Sequence, residues 1–461
     1  MIRENTARRV LEAALSQGAD FAEIFVEDRK NTTIQLIGGD IHSALRGRDF
    51  GLGLRIIRGL QSVYSYTNNL EEKNLIMMAQ KSAKALKSTG KGQVLNFYIS
   101  KPETLSPVKL DPSAYSLGYK KEALVEAYDA AMAYDDLISQ ASASYLDWDQ
   151  EVLIINSQGL WVEDRRVRTR LALSAIADYQ GEKQTGFTGP GASMGMEFFE
   201  HYSPKEVGIE AARIATTMAR APYAPAGEMT VVMDKGFGGV LFHEACGHSL
   251  EASSVAKENS VFAGKLGQKI ASERVTAIDD GTIPGQWGSS TVDDEGTPTR
   301  KNVLIEAGVL KSYLVDSLNG KRMGAESTGS SRRESYRYEP TSRMNNTYIA
   351  PGQDSFEEMI STTERGLYAK NLGGGSVNPI TGEFNFAVME GYLIEKGKIT
   401  SPVRGASLIG KGQDILMKID RVSSDFSLAQ GMCGASSGSI PASLGQPQVR
   451  ISSLKVGGRN A

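Results

Sequence analysis

Cysteine and histidine are scarce in this chain of 461 residues, which holds two of the first and four of the second. Cys246 and Cys433 lie far apart, and without an export signal a structural disulfide is the lesser use for such a pair. The N-terminal stretch MIRENTARRVLEAALSQG lacks an uninterrupted apolar run and carries acidic residues, so it predicts an amphipathic helix and not a signal peptide. No apolar run approaches the length of a membrane-spanning helix. Charge of one sign is also missing: 51 basic residues face 54 acidic ones, for a net charge of -3. That balance leaves no electrostatic footprint for nucleic acid or an anionic membrane surface. Arg332, Arg333 and Arg337 form a local cluster, but Glu334 and Glu339 interrupt it, which predicts a solvated or domain-contact segment. No fixed-period repeat and no low-complexity segment is present. The cytoplasm is the expected location.

The chain has ample material for buried cores, with 40% hydrophobic residues. Its length predicts two or three domains, and the pattern divides it into residues 1–90, 116–222 and 223–461. The first region predicts a helix from Asn5 to Gln17, strands in FAEIFVED, TTIQLIG, GLGLRII and SVYSYT, and a helix from Leu70 to Leu86. Residues 88–115 read as a linker or long loop. The second region repeats the helix, strands, helix order, with helices at Lys120–Met132 and Pro204–Ala219. Between them lie the runs ISQASASYLDWD, EVLIINSQG and RVRTRLALSAIADY. The third region opens on the strand EMTVVMD, continues into a helix near Gly236, and then alternates hairpin signals with glycine-rich stretches. Strand connections too short for crossover helices predict an α+β fold with antiparallel sheets and packed helices. An N-terminal α/β region would then precede a larger, β-rich, metal-binding C-terminal domain.

The stretch that carries chemistry is Gly239-Val-Leu-Phe-His243-Glu244-Ala-Cys-Gly-His248-Ser-Leu-Glu251. Imidazoles are common metal ligands, and an adjacent carboxylate can take a proton from activated water. A regular helix would set two residues five apart at roughly 140° to one another, so His243 and His248 could not share an ion. A single π-type turn around Ala245 to Gly247 would realign them, and Gly247 makes such a distortion plausible. A catalytic zinc needs a third protein ligand. Cys433, in the glycine-flanked GMCGASSGSIP, ranks first, and Glu251 ranks second as ligand or as a partner that orients His248. Cys246 is expected to face the core. His42 and His201 have no supporting context.

In order along the chain, GADFAEIFVEDR at 18–29, the His-Glu-x-x-x-His stretch, VDDEGTPTR at 292–300, Pro-x-x-Arg-Met-x-Asn-Thr at 340–347, VNPITGEFNF at 377–386 and GMCG…SIP…GQP resemble the TldD/PmbA family of metallopeptidases, on its TldD side. The resemblance spans essentially the whole chain. It implies a catalytic member, because PmbA (TldE) paralogues lack the metal motif. It implies His243, His248 and Cys433 as metal ligands and Glu244 as the general base. It further implies a homodimer, or a heterodimer with a PmbA/TldE-like paralogue, whose enclosed site admits only unfolded or short peptides.

The expected activity is therefore metal-dependent peptide hydrolysis. Zinc is the expected ion on ligand softness, with Fe2+ as the other ion suited to a His, His, Cys set. Substrate would pair as an extended strand with Gly373 to Gly375 or the 377–386 segment. Arg343 and Asn345 would bind substrate or pin a domain contact. Two other readings fit the same residues: a small-substrate amidohydrolase of the deformylase type, and a peptide-binding scaffold or assembly partner whose structural metal is closed off by Glu251 or Cys246.

Overall fold

The computed structural model describes residues 2–86, 90, 92–378 and 381–459. Parts of the 88–115 and 377–386 segments, at 88–89, 91 and 379–380, lie outside the described residues. The fold is α+β. An N-terminal antiparallel sheet with packed helices leads into a larger β-rich region that carries the motif.

The first sheet is built from strands longer than their sequence patterns suggested. FAEIFVED and TTIQLIG are one strand, Phe21–Ile37, and ISQASASYLDWD and EVLIINSQG are one strand, Ile138–Asn156. Polar residues at the middle of each run disguise the continuity. Glu27 is buried and accepts from the Gln150 side chain and the Tyr336 backbone, so a charge in mid-strand is satisfied rather than exposed. Strands Phe21–Ile37 and Ile138–Asn156 pair antiparallel over most of their length. The first and second regions therefore share one sheet, eight-stranded among the described residues. The segment expected as a linker contributes to it: Tyr98–Ser100 adds parallel to Leu160–Val162.

Helices Glu4–Leu15 and Glu72–Ala85 cover one part of this sheet, and Leu117–Met132 and Pro204–Arg220 another. Their starts are chemically marked. Ser116 accepts from the Tyr119 backbone N–H, and Ser203 accepts from that of Glu206 with Pro204 in the first turn. Helix Pro204–Arg220 lies against Leu117–Met132 at Gly208, where a Cβ would collide with the Ala127 carbonyl.

The C-terminal sheet has eleven strands among the described residues and is mostly antiparallel. Gly227–Met233 with Arg365–Val377, and Asn346–Ile349 with Gly438–Gly457, pair in parallel. At its centre is a long hairpin, Ile419–Ala435 with Gly438–Gly457.

A buried ionic joint locks the two bodies together. The Arg55 guanidinium lies 3.0 Å from Glu23 and 2.5 Å from Glu295. Arg333 donates to Glu23 at 2.7 Å, and Arg166 pairs with Asp294 at 2.6 Å. All of these side chains are buried. The Arg332–Arg337 segment is thus a domain contact, and VDDEGTPTR is its counterpart. Asp293 holds that loop's own backbone, accepting from Glu295 and Thr297, and ties it to Ser331 beside the arginine segment.

Removing one partner of a buried pair strands a charge and costs about 3–5 kcal/mol. Arg55→Leu is expected to lower the unfolding free energy by about that amount in a urea titration followed by circular dichroism. A loss below about 1 kcal/mol would show that the joint behaves as a solvated pair.

Candidate metal centre

The motif strand Gly227–Met233 runs into a short 3-10 turn, Gly236–Gly239, and then the helix Val240–Ala245. The helix stops at Cys246, whose backbone leaves the helical region at φ -132° and ψ -46°. A second 3-10 turn, Gly247–Leu250, follows. The distortion expected around Ala245 to Gly247 is there, but it is a break followed by a tighter turn and not a π bulge. The break at Cys246 lets His248 turn toward His243, and the two ring centroids lie 5.1 Å apart.

Gly247 serves a purpose other than flexibility. A Cβ at that position would collide with the sulfur of Met344. Met344 belongs to the 340–347 segment and is fully buried, so the turn is pressed against a fixed wall.

Cys433 enters from the long C-terminal hairpin, within strand Ile419–Ala435, paired with Ile440. It sits in a strand rather than in the loop its flanking glycines suggested. Its Sγ lies 3.2 Å from His243 Nε2 and 3.3 Å from His248 Nε2. The three donor atoms fall within 4.8 Å of one another. Donors of a tetrahedral zinc site, at ~2.0–2.3 Å from the ion, are separated by roughly 3.5 Å. The cluster therefore fits a small divalent ion with two nitrogens and one sulfur.

Arg343 fixes the cysteine strand. Its guanidinium is fully buried and donates to the Cys433 carbonyl at 2.5 Å, to Ser437 Oγ at 3.0 Å and to the Gly438 carbonyl at 3.1 Å. Nearby, Asn345 is spent on Asp279. Both residues of the 340–347 segment pin structure and face no open space.

Electrostatics prepare the donors. Burial pushes the Cys433 thiol up, but the charge of His243 and hydrogen bonds from both imidazoles outweigh it and hold the thiol near 3. For His248 burial acts downward, while the Glu251 carboxylate and the Cys433 sulfur hold it well above its usual value. Glu251 lies 3.2 Å from His248 Nδ1, on the far side of the ring from the sulfur. It orients the imidazole and is not among the converging donors. Cys246 packs in the C-terminal core, and burial alone raises its thiol. His42 and His201 lie outside the cluster.

Glu244 is one-third exposed, with Oε2 3.7 Å from His248 Nε2. It lines a cavity of about 300 Å³ together with His243, Cys433 and Gly373 to Gly375. Arg170 and Phe187 form the opposing wall and come from the central region. No local sequence signal marks either as part of the site, because only the domain contact brings them there. A larger cavity of about 670 Å³ adjoins, sharing Phe187, Phe237, Gly373, Gly374 and Gln430.

The chain matches three consecutive domains of one family: PmbA/TldA metallopeptidase domain 1 over residues 22–86, the central domain over 110–219 and the C-terminal domain over 226–458. A metalloprotease TldD homolog of Haemophilus influenzae is 36% identical across 99% of this chain and 96% of its own length. A zinc metalloprotease TldD homolog of Saccharolobus solfataricus is 34% identical across 50% of this chain and 52% of its own. Among solved structures, a Thermotoga maritima protein described as a proposed modulator of a DNA gyrase superposes with a TM-score of 0.81 at 23% identity, covering 98% of this chain and all of that one. TldE from Thermococcus kodakarensis superposes with a TM-score of 0.77 at 21% identity, covering 98% and 99%. Three matched domains and a relative aligned along nearly the whole length place the chain in the TldD/PmbA family of metallopeptidases.

Proposed function

We propose that this metallopeptidase hydrolyses unfolded or short peptides at an ion held by His243, His248 and Cys433, with Glu244 as general base. The observation that carries the reading is the position of Glu244. Its carboxylate borders the cavity beside the three donors and is the partly exposed acid among them. The ion supplies Lewis-acid activation of water and of the scissile carbonyl. Glu244 takes the proton of the attacking water and delivers it to the leaving amine. Glu251 keeps His248 oriented, and Arg343 keeps the Cys433 strand in reach. Zinc suits two imidazoles and a thiolate, and the Saccharolobus solfataricus relative is described as a zinc enzyme.

Peptide would enter as an extended strand. Strand Arg365–Val377 pairs with Gly227–Met233 only as far as Ala369, so that edge is free of this neighbour at Gly373 to Gly375, beside the cavity. Backbone pairing there gives affinity without demanding particular side chains. The likeness to TldE and the family pattern support work as a homodimer or as a heterodimer with a PmbA/TldE-like paralogue, and we retain the division at 1–90, 116–222 and 223–461 for both. A purely structural metal would need a fourth protein donor, and neither Glu251 nor Cys246 belongs to the cluster.

Glu244→Gln is expected to keep stoichiometric metal and to lose about 10²–10⁴-fold in kcat, read by metal analysis and by cleavage of an unstructured peptide. Near wild-type turnover would remove Glu244 from the mechanism. The thiols give a separate check. In metal-free protein at pH 6, Cys433 is expected to react with iodoacetamide and Cys246 to stay unmodified until the chain unfolds, with zinc protecting Cys433. Mass spectrometry locates the label, and modification of Cys246 first would overturn the assignment.

A further inference from the structure

Strand Leu160–Tyr179 carries Arg166, Arg168 and Arg170 at alternate positions, so the three point to one face of the sheet. Only the first is neutralised locally, by Asp164 and Asp294. Arg168 is 3% exposed and, among the described residues, donates to the carbonyls of Trp287 and Ser289 and pairs with no carboxylate within 4.0 Å. Arg170 has no carboxylate within 4.0 Å among the described residues, and its buried Nε has no hydrogen-bond partner. From across the domain contact comes Arg332, 6% exposed, which donates to the Met344 carbonyl and has no carboxylate in reach among the described residues.

These guanidiniums border open space. Arg168 and Arg332 line a cavity of about 160 Å³, beside Arg166 and Arg333. The carboxylates nearby are committed: Asp294 to Arg166, and Glu23 to Arg333 and Arg55. Glu334 also lines the cavity, but it accepts from the Ser439 backbone and approaches no arginine within 4.0 Å among the described residues. Burial holds Arg168 down to about 9, with the charges of Arg332 and Arg166 acting the same way, and it holds Arg332 to about 10 against the opposing charge of Asp294. Buried guanidiniums in contact with no carboxylate carry a cost that an anion would relieve.

The row leads to the catalytic cavity. Arg170, one same-face step along the strand from Arg168, lines the cavity that holds Glu244 and Cys433. Met432, next to Cys433, lines both cavities. We propose that Arg170, with Arg168 and Arg332 lining the adjoining cavity, binds a carboxylate of the peptide substrate. Its planar oxygens suit the forked donors of guanidinium, and its position beside the catalytic cavity makes it a determinant of which peptide bond is presented. This rests on the peptidase reading above, and the test is therefore one of binding.

Zinc-loaded full-length Glu244→Gln protein is titrated by fluorescence anisotropy with three labelled peptides of one apolar sequence. One has a free C-terminus, one an amidated C-terminus and an internal glutamate, and one an amidated C-terminus with glutamine in that place. At least one carboxylate-bearing peptide is expected to bind about tenfold more tightly than the neutral one, and which of the two does so assigns the carboxylate to the terminus or to a side chain. Arg170→Gln is expected to erase most of the difference between the carboxylate-bearing and neutral peptides. Arg168→Gln gives a second reading if one variant folds poorly. Equal binding of all three peptides overturns the proposal, as does discrimination that survives in both variants. Competition by inorganic phosphate without any preference for carboxylate peptides would also overturn it, by identifying a free-anion site. Loss of cleavage by the wild-type protein would leave these affinities untouched and would count against the peptidase reading alone.

Discussion

Three donor atoms from sequence positions nearly two hundred residues apart must meet within 4.8 Å, and the surrounding structure answers to that requirement. Neither side achieves it alone. On the histidine side, the helix breaks at Cys246 before a 3-10 turn, and across that break two imidazoles five residues apart come together. On the cysteine side, a fully buried guanidinium holds the Cys433 carbonyl and the far end of the adjoining turn, at Ser437 and Gly438. Arg343 and Met344 are consecutive, so one segment presses on Gly247 and grips the Cys433 strand at once. Such support keeps donors in place in the absence of an ion and lowers the reorganisation needed when one binds.

The ionic joint between the two bodies follows from the same need. The cavity beside Glu244 has one wall in each body, with Arg170 and Phe187 facing Gly373 to Gly375. Its width is therefore set by how the bodies dock. Hydrophobic packing tolerates small sliding, whereas an arginine held between Glu23 and Glu295 accepts a narrow range of positions. The joint ties together several motifs that are far apart in the sequence. Glu23 belongs to the 18–29 segment, Asp294 and Glu295 to 292–300, and Arg333 to the arginine cluster.

What the sequence made legible was local. The spacing of His243 and His248, with Glu244 between them, announced both the site and the need for a bend. The kind of bend was not legible, because an under-wound turn and an outright break both bring the rings together, and the wall against Gly247 is Met344, about a hundred residues away. Cys433 was ranked first for its chemistry, yet its glycine neighbours suggested a loop, since strand pairing with Ile440 leaves no trace in a short window. Helices with marked starts, such as Pro204–Arg220, were read nearly to their ends. The longest strands were read as fragments, because charges such as Glu27 break an apolar pattern unless their buried partners are known.

Arg166 connects these threads. It is bound to Asp294 of the joint and begins the arginine row that ends in the catalytic cavity at Arg170. Successive same-face residues of a strand stand about 7 Å apart, so the position of Arg170 against Glu244 is fixed once Arg166 is fixed. Pairing with Ile138–Asn156 along the whole step, and with Gly191–Ala192 at Thr169 and Arg170, leaves the strand little freedom to flex there. The salt bridge that docks the bodies thus also sets where positive charge meets the cavity beside Glu244.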